Sequence, residues 1–66
     1  MKKIYEVIGK NLETDGWETI SETKTLKQAV KIAKQYEKQY GREWIDINLI
    51  IDDDLKETYD LDGKIR

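Results

Sequence analysis

Apolar residues recur at helical spacing in one stretch of this chain and at alternating spacing in others. The helical stretch is residues 25–41, TLKQAVKIAKQYEKQYG. At about 100° per residue, Leu26, Ala29, Val30, Ala33, Tyr36 and Tyr40 share one stripe, which predicts a helix laid on a core. Thr25 followed by Gln28 has the spacing of a capping box, and Gly41 supplies a residue suited to the turn past a helix end. Lys27, Lys31, Lys34 and Lys38 form a second stripe, with Lys24 just ahead of it. Glu37 is the misfit, a carboxylate near the middle of the apolar face.

Ahead of the helix, residues 2–10 predict a strand that is apolar on both sides, with Tyr5 and Val7 on one face and Ile4 and Ile8 on the other. Such a strand belongs in the middle of a sheet. Residues 11–16 predict a turn, with Asp15-Gly16 as its hairpin signal. Residues 17–23, WETISET, alternate weakly and carry charge, as an edge strand does. Beyond the helix, Ile45, Ile47, Leu49 and Ile51 alternate with Trp44, Asp46, Asn48 and Ile50, the first set belonging under the helix. Asp52, Asp53 and Asp54 mark a turn. Residues 57–61 predict a short last strand with Tyr59 and Leu61 inward, and residues 63–66 a loose tail.

The predicted order is β-β-α-β-β in a single domain spanning residues 1–66. The helix returns the chain across the sheet, which places the third strand beside the first. The expected fold is therefore α+β, a four-stranded antiparallel sheet of order 2-1-3-4 with one helix packed on one face. One helix leaves the other face of the sheet uncovered. By parity that face carries Ile4, Ile8, Trp17, Trp44 and Ile50, interspersed with Glu6, Asp46 and Asn48. This is more apolar surface than a small monomer normally shows, and tryptophan is a favoured interface anchor.

Composition narrows the chemistry. The chain has no Cys, no His and a single Ser, Ser21. Disulfides, thiolate metal sites and imidazole acid–base catalysis are excluded, as are Ser–His–Asp and Cys–His arrangements. No enzymatic activity and no cofactor are expected. Asp60-Leu61-Asp62-Gly63 offers only a fragment of a calcium loop, and Gly9-Lys10 lacks the rest of a phosphate-binding loop, so no metal or nucleotide site is expected. No apolar run reaches the roughly 18 residues of a membrane span and no signal-peptide core is present, which points to a cytoplasmic protein without a membrane partner.

Charge separates the remaining functions. Charged residues make up 39% of the chain, yet the net charge is −2, as suits a folded domain. Eight acidic residues lie between Glu43 and Asp62 against Lys56 alone. The lysine stripe (Lys24, Lys27, Lys31, Lys34, Lys38) offers phosphate contacts for nucleic acid, but it contains no arginine and the overall balance is acidic. The expectation is a small protein-binding or self-associating module. Trp17, Trp44 and Ile50 are its apolar anchors, and Asp46, Asp52, Asp53 and Asp54 its electrostatic contacts. A phage- or mobile-element-encoded inhibitor that occupies a basic channel of its target is one form of that expectation, by analogy of composition. The alternatives are a nucleic-acid-binding domain using the lysine stripe, and a structural or designed domain with no ligand.

Overall fold

Strand β1 (Lys3–Asn11) is hydrogen-bonded along both edges in the computed structural model, which describes residues 1–66. Its neighbours are β2 (Gly16–Thr23) and β3 (Ile45–Ile51), and β4 (Asp54–Tyr59) pairs with the far side of β3. All pairings are antiparallel and the sheet order is β2-β1-β3-β4. Between β2 and β3 lies helix α1 (Leu26–Gln35), followed by a single turn α2 (Glu37–Tyr40) and a 3-10 turn at Arg42–Trp44. No helix is long and apolar enough to cross a membrane.

The core is the layer between α1 and the sheet. Val7, Ala29, Ala33, Ile45, Ile47 and Leu61 are fully buried, with Tyr5 and Leu49 nearly so. Alternation along β1 and β3 puts Tyr5, Val7 and Gly9 opposite Leu49, Ile47 and Ile45 on one side. Ala29 and Ala33 let the helix backbone approach this row. Full burial of Val7, Ile45, Ile47 and Leu61 contributes about 1.5–3 kcal/mol each. Thr25 caps α1 by accepting the Gln28 N–H on its Oγ1 at 3.2 Å.

The helical stretch is interrupted where the periodicity runs on. Tyr36 leaves helical geometry (φ −100°, ψ 2°), and its N–H is shared between the carbonyls of Ile32 and Ala33. Tyr36 is consequently exposed rather than packed in the core. After the break Tyr40 drops onto the sheet at Gly9. A Cβ at residue 9 would lie 2.7 Å from Tyr40 Cδ1, so the ring occupies the space a side chain would need. Glu37 turns outward and meets Arg42 at 3.4 Å. Gly41 follows with φ 92°, a conformation L side chains rarely adopt.

Two bulges adjust the edges. In β2, Ser21 pairs with Val7 and Thr19 with Ile8, so Ile20 is an extra residue, and it packs against the core. In β4, Glu57 pairs with Leu49 and Leu55 with Ile50, leaving Lys56 as the extra residue. The first hairpin closes through a four-residue loop between Asn11 and Gly16, with the left-handed residue at Asp15 (φ 58°). Asn11 Oδ1 accepts the N–H groups of Glu13 and Thr14 and shapes that loop. The second closes through Asp52 and Asp53, both at positive φ (51° and 70°), as a two-residue type I′ turn requires.

The tail expected to hang loose is held. Leu61 is fully buried, Ile65 bridges back to Tyr59, and the Arg66 N–H donates to the Thr58 carbonyl. Gly63, at φ 85°, lies so close to the helix that a Cβ there would meet Val30 Cγ2 at 3.1 Å. The closing segment therefore covers the flank of the core that α1 does not reach.

Two outcomes follow from these contacts. Gly9→Ala is expected to lower unfolding free energy by about 1–3 kcal/mol, the usual cost of overpacking. In a Tyr40→Ala background the same change should cost much less, and paired urea melts measure the coupling. Asp53→Gly relieves a left-handed L-residue and is expected to raise stability by up to about 1 kcal/mol, whereas Asp53→Val lowers it; thermal melts distinguish the two.

Candidate functional site

The face of the sheet away from α1 is covered by no element, and the pairing registers arrange its side chains in four cross-strand rows. At one end Trp17 lies directly opposite Lys10, and the Lys10 Nζ sits 4.6 Å from the centre of the Trp44 ring. The lysine is also 3.0 Å from Asp15 Oδ1. It is thus held between two tryptophans by a cation–π contact worth about 0.5–1 kcal/mol and by an ion pair. Trp17 is 47% exposed, while Trp44 is half-buried.

The next row is Thr19, Ile8 and Asp46. Arg66 spans to Asp46 Oδ1 at 2.7 Å and donates to the Ile45 carbonyl at 3.1 Å, so the tail contributes a side chain to this face. The third row is wholly polar: Glu22, Glu6, Asn48 and Thr58. Thr58 Oγ1 donates to Asn48 Oδ1 at 2.9 Å. The fourth is wholly apolar: Ile4, Ile50 and Leu55, the last 61% exposed. The Asp52–Asp53 turn lies just beyond it.

The residues expected to act together therefore fall into two groups. Trp17 and Trp44 share one end of the face. Ile50 and the acidic turn stand at the other, about 20 Å away along six residues of strand. Asp46 lies near the tryptophan end with its carboxylate engaged by Arg66. Asp52 Oδ1 accepts the Lys2 N–H at 2.7 Å, and Asp52 and Asp53 together make the hairpin turn, so these two have structural work independent of any partner. Asp54 is exposed at the start of β4.

Lys10, Glu22, Leu55 and Arg66 belong to the face as well. Lys10 was legible in principle from its parity with Ile4 and Ile8. Glu22 was not: strict alternation puts it opposite Trp17 and Thr19, and only the β2 bulge brings it round beside Glu6.

On the helix side of the molecule, Lys24 ahead of α1, Lys27, Lys31 and Lys34 on it and Lys38 in α2 are all exposed. Lys34 lies 3.9 Å from Asp62 Oδ1, and the other four make no ion pair. A depression of about 350 Å³ lies at the first hairpin, beside Lys10, Glu18 and Tyr40. There the Tyr40 hydroxyl donates to Glu18 Oε2 at 3.0 Å and Asn11 Nδ2 donates to Glu18 Oε1 at 2.8 Å. Donation to the Glu18 carboxylate, reinforced by burial, raises the Tyr40 pKa above its ordinary value. Both Glu18 carboxylate oxygens are thus engaged, one by Tyr40 and one by Asn11. No three carboxylates converge closely enough to hold a metal ion.

The Asp60–Asp62 segment has its oxygens turned to local use. Asp60 Oδ1 accepts the N–H groups of Asp62 and Lys64, both at 2.9 Å. Asp62 meets Arg42 at 2.7 Å, and that hydrogen bond raises the Arg42 pKa further. The Lys64 N–H, more than any other group, holds the Asp60 carboxyl below the usual carboxylate range, with the Asp62 N–H and the charges of Arg66 and Lys64 adding to it against a smaller opposing effect of burial.

Comparison of the chain with protein-family models, with curated proteins and with solved structures finds no match.

The Asp60 turn gives a pH dependence of definite sign. A carboxyl depressed in the folded state stabilises it fully above the unfolded value, near pH 4, and the contribution is lost as pH falls through the lower folded value. Amide exchange at Lys64 and Arg66 is expected to quicken across that acidic window relative to the β1 amides. Asp60→Asn should exchange faster already at neutral pH and lose the acid-side transition.

Proposed function

We propose that this chain is a non-catalytic module that works by binding a protein on the open face of its sheet. The observation that carries this reading is the uncovered face itself, with half-exposed Trp17 at one end and exposed Leu55 at the other. A sheet backed by a single helix retains such a surface at a cost in solubility, and a docking partner accounts for its retention. The absence of His and Cys from the composition supports a role in binding rather than catalysis. Trp17 and Trp44 serve as anchors: Trp17 is exposed, Trp44 is half-buried, and neither belongs to the buried core. The acidic residues of the β3–β4 turn flank the opposite end and favour an approaching basic rim.

A second reading rests on a different observation. Lys24, Lys27, Lys31 and Lys38 carry no ion pair, which leaves them free for phosphates on the helix side of the molecule.

The two readings separate cleanly. Trp17→Ser/Trp44→Ser is expected to remain folded by circular dichroism and to lose proteins that the wild-type chain captures. Lys27→Glu/Lys31→Glu should retain them. Outright unfolding of the tryptophan variant would show those rings to be core and reject the docking reading. Micromolar DNA or RNA binding at low salt, abolished by the lysine variant alone, would establish the second reading in its place.

A further inference from the structure

Glu6 and Glu22 stand directly opposite one another across β1 and β2 on the open face. Neither has a cationic partner, whereas Asp15 and Asp46 on the same side of the sheet are matched by Lys10 and Arg66. The one side-chain hydrogen bond between them and the rest of the protein runs from Thr19 Oγ1 to Glu6 Oε2 at 3.2 Å. Like charges directly opposite in an antiparallel pair are destabilising. The free protein thus carries a carboxylate pair without a counter-cation in the middle of a face that is apolar toward both ends. Along β1 the same-side neighbours of Glu6 are Ile4 and Ile8, and Ile4 is continued sideways by Ile50.

We infer that the open face takes a cationic, apolar segment of a partner protein. A Lys or Arg is set over the Glu6–Glu22 pair, and aliphatic or aromatic side chains lie on either side of it. One apolar flank reaches the Ile4–Ile50–Leu55 row and the other the Trp17–Trp44 end. Charge complementarity selects this occupant. A second copy docked two-fold about the polar row sets four carboxylates together, and nucleic acid sets phosphates against two. An arriving cation, by contrast, converts a repulsion within the free protein into two attractions. The inference rests on the open face being a docking surface and adds the chemistry of what docks there.

The test uses the intact protein and two synthetic peptides with blocked ends. Both alternate Leu and Thr over nine residues, Leu-Thr-Leu-Thr-X-Thr-Leu-Thr-Leu, with X as Arg in one and Glu in the other. Binding is followed through the indole signals of Trp17 and Trp44 and the methyl signals of Ile4, Ile8 and Ile50 at low salt. The Arg peptide is expected to move these signals and the Glu peptide to bind more weakly. In Glu6→Gln/Glu22→Gln the affinity for the Arg peptide should fall about fivefold, the sum of two exposed charge contacts. The melting temperature of that variant should stay level or rise, because its substitutions relieve a repulsion. A carboxylate pair with a purely structural role gives the opposite sign, so a clear fall in melting temperature overturns the inference. Equal affinity of wild type and variant for the Arg peptide also overturns it. So does a concentration-dependent doubling of mass that shifts the same signals without peptide, which identifies a second copy as the occupant. Preference for the Glu peptide on this face rejects the cationic partner but leaves the docking reading standing. Silence of the face toward both peptides at millimolar concentration rejects both.

Discussion

Tyr40 lies on Gly9, and that contact ties the end of the helical segment to the central strand. The ring fills the volume where any other residue of β1 would place a Cβ. For the ring to reach it, the helix has to stop at Tyr36, redirect for one turn, and leave through Gly41 at positive φ. The 3-10 turn that follows delivers Trp44 and Ile45 to the edge of β1, where Ile45 faces Gly9 across the strand pair. The descent of the helix, the entry of β3 and the position of one open-face tryptophan are thus linked through one small residue and one large one.

A chain of this length has little apolar material, and its distribution explains the rest of the architecture. One helix seals one side of the sheet; no disulfide assists it, and the closing segment seals the flank. Leu61 is buried as deeply as any core strand residue although it lies outside the strands. Asp60 folds the backbone around it, Gly63 lets the turn approach Val30 and Leu26, and Arg66 ends on Asp46. The same segment that completes the core therefore also neutralises a carboxylate on the opposite face. Charges near the sheet are matched at the tryptophan end, by Lys10 and Arg66, and unmatched in the middle row.

The open face is consequently not one apolar patch. It has a tryptophan end, an aliphatic end and a polar row between them, and its character changes over about 20 Å. A surface organised in this way distinguishes partners by where they carry charge as well as by shape. The helix lysines, on the far side of the molecule, form a separate field. Their exposure is what a helix covering a core presents to water, and their alignment follows from the same periodicity that aligns the apolar stripe.

The buried rows of β1 and β3 were legible in the sequence because they depend on period alone, and fold class and strand order follow once the helix returns the chain across the sheet. Alternation over Tyr5–Val7–Gly9 and Ile45–Ile47–Leu49 and the 3.6-residue stripe of α1 mark the apolar rows, and the simplest arrangement brings them together. The Thr25 cap and the Asp52–Asp53 turn were equally local. What escaped local reading involves residues whose place is set by something distant in the chain. The helix breaks at Tyr36 because Tyr40 docks on a strand 31 positions earlier. The tail is fixed by Thr58, Tyr59 and Asp46 rather than by any propensity of its own. Ser21 and Glu22 change sides because a bulge belongs to a pair of strands and cannot be read from either one. Periodicity by itself determined which faces exist; only tertiary pairing decided which charges share them, since a one-residue offset between strands moves every later side chain to the other side.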